Sequence, residues 1–196
     1  MTALPQQPPT PADDATAEPG HSAPAGSWEE RIAAAWYRAR TEEVPDEELR
    51  EAVAALVAEL PEDHPTALYE IGSAWDSTGV PETAIAFYRA ALAAGLRPDR
   101  RRQAVIQLAS SLRNVGQADE AVEILQAEKR EPSDDLDAQL DGFLALALAD
   151  AGRAREGVGV AVAALGGLVQ RYHRSLVAYG DEVRASERDP DALESA

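Results

Sequence analysis

Cysteine is absent from the 196-residue chain, which excludes a disulfide framework, a thiolate metal site and a cysteine nucleophile. A reducing compartment suits such a chain. Histidine is nearly as scarce. His21, His64 and His173 stand far apart with no HExxH pattern, so no metal site and no cofactor are expected. Lysine occurs once, at Lys129, and acidic residues outnumber basic ones 35 to 18, for a net charge of −17. Phosphate backbones are gripped chiefly by clustered cations, so no nucleic acid partner is expected. The excess charge serves solubility, or else attraction to a basic partner. Long apolar runs are also missing. The longest, 157–169, is ended by Gln170 and Arg171, short of the roughly 18 to 20 residues that cross a bilayer. The first twenty residues carry neither a cationic start nor an apolar stretch, so no secretory leader is expected. A cytoplasmic protein without membrane association is the resulting expectation. Gly157-Val158-Gly159 with Gly166-Gly167 lacks the spacing of a nucleotide loop and follows no strand-like segment; close helix packing is the better reading.

What the chain does contain is a cadence. Gly72 is followed by Trp75, Gly79, Ala84 and Tyr88, and the same offsets from Ala109 reach Leu112, Gly116, Ala121 and Leu125. From Ala145 they reach Leu148, Gly152, Gly157 and Ala161. The turn glycines 79, 116 and 152 fall 37 and then 36 residues apart, a period typical of stacked helical hairpins. Small residues at Gly72, Ala109 and Ala145 let two helices approach, and large ones beside them fill the space.

Around these marks the chain divides readily. Residues 1–26 are rich in Pro, Ala, Thr and Asp and poor in large apolar side chains, so a disordered tail is expected. The helical domain is predicted over 27–187. It opens with an atypical pair, 27–61, whose first helix starts at the capping box Ser27-Trp28-Glu29-Glu30 and whose second starts at Pro45-Asp46. Three repeats follow at 65–98, 99–131 and 133–166, the last with Ser133 as the expected N-cap. A closing helix, 167–187, carries Leu168, Tyr172, Leu176, Tyr179 and Val183 on one face to cover the end of the stack. Residues 188–196 are predicted to fray. Arg97, Arg100, Arg101 and Arg102 form a basic cluster, read either as internal ion pairs or as a dock for an acidic surface, with internal pairing preferred. The acids between Glu42 and Asp63 read as a solvated helix face, with recruitment of a basic peptide as the lesser alternative.

These marks resemble the tetratricopeptide repeat, most closely in ALYEIGSAWDSTGVPETAIAFYRAALAAGLRP and next in QLASSLRNVGQADEAVEIL. As a whole the chain is similar to short actinobacterial tetratricopeptide proteins. The third copy departs by having Gly157 and Ala161 where alanine and an aromatic are usual. The resemblance implies an all-α solenoid of stacked antiparallel hairpins with a C-terminal capping helix, its first helices lining a concave groove. It also implies candidate groove residues Tyr69, Ser73, Asp76, Gln103, Ile106, Ser110, Arg113, Asn114, Leu146 and Asp150, with Thr66, Ser77, Gln139 and Gly142 beside them. The clamp by which some relatives hold anionic tails is not expected, because Asp76 would repel one. For Arg113 and Asn114 a structural role is an open alternative, and Tyr69 reads equally well as a packing residue. No catalytic constellation is visible. The implied function is a non-enzymatic protein-interaction scaffold binding a peptide or helix. The alternatives are a structural homodimer, formed around Tyr172 and Tyr179, and a regulatory subunit of an enzyme or transcription complex.

Overall fold

The computed structural model describes residues 26–185; the expectations for the two tails lie outside them. The described residues form nine α-helices and no strand: α1 (Trp28–Thr41), α2 (Asp46–Val57), α3 (Pro65–Ser77), α4 (Pro81–Ala93), α5 (Pro98–Asn114), α6 (Ala118–Glu128), α7 (Asp137–Asp150), α8 (Ala154–Leu168) and α9 (His173–Ala185). Each helix packs on the next, and the first helices of neighbouring hairpins also meet, α3 against α5 and α5 against α7. The architecture is an all-α solenoid.

Local chemistry sets the helix ends. The Ser27 hydroxyl accepts the Glu30 N–H at 3.2 Å while the Glu30 carboxylate accepts the Ser27 N–H at 2.8 Å, so two otherwise orphaned donors are satisfied reciprocally. Proline at the first turn starts α3, α4 and α5, where its missing N–H is not needed. At the hairpin turns Gly79, Gly116 and Gly152 adopt φ of 77, 80 and 79°, a left-handed conformation that a side chain resists. Three copies of one turn impose one hairpin geometry on the stack.

Packing follows the small-beside-large pattern. A Cβ on Gly72 would lie 3.0 Å from the Tyr88 ring, so α3 and α4 touch where the sequence sets glycine against an aromatic. The main core runs from Tyr69 to Val160 and is fully closed around Tyr88, Leu112, Leu125 and Leu148. A second core joins the opening pair to α3 through Ile32, Leu49, Val53, Val57, Ala67 and Ala74. Helix α3 therefore faces both.

Two details differ from the sequence reading. Ser133 does not cap α7, which begins four residues later with Leu136 at its N-cap. Instead the Asp134 carboxylate accepts the Leu136 N–H at 2.9 Å, winding a turn ahead of the helix, and the Ser133 hydroxyl donates to Asp137. The closing helix expected over 167–187 is interrupted: α8 runs on to Leu168, residues 169–172 are not helical, with Tyr172 at a φ of 64°, and α9 starts at His173. Leu176 and Val183 are partly covered, but Leu168, Tyr172 and Tyr179 are exposed. For Tyr179 the reason is a backbone-to-backbone contact. A Cβ on Gly159 would sit 2.6 Å from the Gly180 carbonyl oxygen, so α8 and α9 meet through glycine and Tyr179, beside Gly180, is turned outward.

Candidate functional site

The first helices of the opening pair and of two repeats share a cavity of about 490 Å³. Helix α1 contributes Glu29, Ile32, Ala33, Trp36 and Arg40; α3 contributes Tyr69, Glu70, Ser73, Asp76 and Ser77; α5 contributes Arg100, Gln103 and Gln107. No second helix of a hairpin reaches it. The spacing on α3 explains the lining, since residues 69, 73, 76 and 77 lie on one stripe at helical periodicity.

One end of the cavity is an ion-pair array. The Arg100 guanidinium donates to Glu29 at 2.5 Å and lies 3.6 Å from the buried Glu70, while the Trp36 indole N–H donates to Glu70 at 2.7 Å. These contacts tie α1, α3 and α5 together. Burial is the main influence on the Glu70 carboxyl and raises its pKa above the ordinary range, with the Trp36 and Arg100 contacts opposing it.

The other end is organised by Asp76. Its carboxylate accepts the Ser111 hydroxyl at 2.8 Å and the Tyr88 hydroxyl at 3.3 Å, and no cation among the described residues lies within ion-pair distance of it. Burial raises its pKa, while the two hydroxyl hydrogen bonds oppose the rise. Tyr69 packs beside Tyr88 with ring centroids 6.2 Å apart, and burial pushes both phenols upward. The buried Ser73 hydroxyl and Gln107 side-chain amide adjoin the Tyr69 hydroxyl, and their interaction with it opposes the effect of burial on the phenol.

Of the residues expected in the groove, the cavity gathers Tyr69, Ser73, Asp76, Gln103 and Ser77. Ile106 is 6% exposed and belongs to the main core. Ser110, Arg113, Asn114, Leu146 and Asp150 do not line the cavity. Arg113 instead donates to Asp150 at 3.2 Å, linking α5 to α7, and Leu146 is exposed on α7. The entire α1 contribution was invisible to the repeat pattern, because the opening pair keeps only the second-helix marks Ala52 and Leu56 and lacks the glycine turn and the first-helix pattern. Trp36, one of only three tryptophans, was the available signal.

The basic cluster is engaged internally. Arg97 meets Asp99, Arg100 meets Glu29, Arg101 meets Glu128, and Arg102 meets Glu128, Asp134 and Asp137. Among the described residues no group of three or more His, Asp or Glu is arranged to hold a metal ion, and no helix is long and apolar enough to cross a membrane.

A family model described as "Tetratrico peptide repeat" matches residues 65–183. No curated protein and no solved structure matches the chain.

Proposed function

Because the chain belongs to the tetratricopeptide-repeat family, whose members generally mediate protein–protein interactions, we propose that it is a non-enzymatic cytoplasmic adaptor. Its partner is a polypeptide segment, extended or helical, seated in the cavity between α1, α3 and α5. The observation that carries this reading is that three successive first helices open onto one hollow lined by both aromatic and polar side chains, the mixture that anchors and orients a peptide.

Ala33 is the natural place to test it, being exposed and on the cavity wall. Peptides selected by display on the full chain should bind an Ala33→Trp variant at least tenfold more weakly by fluorescence anisotropy. The far-UV circular dichroism and melting temperature of the variant should match the wild type. Equal binding by the two proteins would rule out the cavity as the seat.

A second reading, a homodimer through the carboxyl-terminal end, is favoured by the exposure of Leu165, Leu168, Tyr172 and Tyr179 on α8 and α9 and the segment between them. Exposed apolar clusters of this kind commonly mark contact surfaces. Sedimentation equilibrium of wild type and Tyr179→Glu decides it: a dimer that the substitution dissociates supports this reading, and a monomeric wild type removes it.

A further inference from the structure

The polar end of the cavity has a carboxylate without a cation. Asp76 is held only by two neutral hydroxyls, those of Ser111 and Tyr88. Ser73 lies one turn before it on α3 and is 7% exposed. On α5, Gln107 lies one turn before Ser111, the residue that donates to Asp76, and lines the same cavity. A carboxylate in a partly dry site with no positive charge beside it is under-compensated.

The charges around the cavity identify the donor. Arg100 is committed to Glu29, Asp99 and Glu70, and Arg40 stands exposed on the wall. Asp76 is the lining carboxylate that lacks a cation. We propose that this end of the cavity receives a basic side chain of the partner, a lysine ammonium or an arginine guanidinium, with Asp76, Gln107 and Ser73 as acceptors and the Tyr69 ring beside it. The inference rests on the adaptor reading above and specifies the partner's chemistry. A cation supplies only donors and brings the positive charge that Asp76 lacks among its neighbours. It can also lie against an aromatic face, and the chain's charge of −17 draws basic segments toward it.

The raised pKa of Asp76 has a consequence for design of the test. Burial disfavours its ionised form, so the neutral Asp76→Asn variant should melt no lower than wild type, since the asparagine oxygen can accept from one hydroxyl while its amide donates to the other. A residue retained only for structure would behave in the opposite way when replaced.

The experiment uses the display-selected peptides, labelled and titrated against wild type, Asp76→Asn and Ala33→Trp proteins. Peptides sensitive to Ala33→Trp should share a Lys or Arg at a fixed position. Replacing that residue by norleucine or citrulline, respectively, should weaken binding to wild type at least tenfold and have no further effect on Asp76→Asn. These peptide replacements leave the protein intact, so the result does not depend on how the variant folds. Peptides that are sensitive to Ala33→Trp but require no cation, or that ignore Asp76→Asn, would overturn this inference and leave the adaptor reading standing. If no selected peptide is sensitive to Ala33→Trp, both are overturned.

Discussion

Alanine in place of Arg102 should lower the unfolding free energy by about 3 kcal/mol, the scale of breaking one side of a buried ion pair. The Arg102 side chain is 4% exposed although it sits in the first turns of α5. Its guanidinium donates to the Pro132 carbonyl at 2.7 Å, to Asp134 at 3.0 Å and to Asp137, and lies 3.6 Å from the buried Glu128. One side chain therefore joins α5, the end of α6, the following loop and the start of α7. Removing it leaves Glu128 with Arg101 alone and frees the loop that sets the spacing between the second and third repeats. Arg102→Lys should recover only part of the loss, because an ammonium cannot reproduce the planar fork. Urea denaturation followed by circular dichroism measures both. A loss under about 0.5 kcal/mol for Arg102→Ala would mean that the clasp is peripheral to stability.

The second large effect concerns Gly157, where the repeat usually has alanine. Restoring the usual residue should destabilise the protein by about 1 to 3 kcal/mol, despite the better helix propensity of alanine. A Cβ at Gly157 would lie 2.6 Å from the Ala145 carbonyl oxygen and 3.5 Å from the Leu148 Cβ. The first of these is main chain, so α7 and α8 would have to separate to admit a methyl group. Gly142, in the middle of α7, provides the control, since nothing lies within 4 Å of a Cβ built there. Gly142→Ala should stabilise by roughly 0.5 to 1 kcal/mol through propensity alone. Opposite signs for two Gly→Ala changes in one hairpin are the expected result; the same sign for both would refute the close approach.

Much of the fold was legible because its determinants are local and repeated. A positive-φ glycine at the same point of each hairpin, proline at helix starts, and small residues opposite large ones are all written in sequence spacing. The third repeat shows where that stops. Its Gly157 signals a tighter contact, which only the distance to Ala145 makes apparent. The apolar stripe from Leu168 onward suggested that Tyr172 and Tyr179 would pack, but the helix breaks before His173, leaving Tyr172 outside it, and α9 meets α8 through Gly180 on Gly159, which leaves Tyr179 at the surface. Ser133 illustrates a local competition, in which Asp134 and Asp137, both drawn to Arg102, wind the turn first. For the cavity, α3 was readable from its stripe. The roles of Trp36, Glu29 and Arg100 depend on contacts between residues 34 and 71 positions apart, and no periodicity encodes those.

In an ordinary solenoid each hairpin leans only on its neighbours, so the array can unzip from either end. The contacts of Arg100 with Glu29 and of Trp36 with Glu70 skip over intervening helices, fastening α1 to α3 and α5. Among the described residues, α9 packs on no helix other than α8. The cross-bracing at α1 should keep the hollow assembled against unzipping from its own end, because α1 cannot leave without breaking contacts to two later hairpins at once.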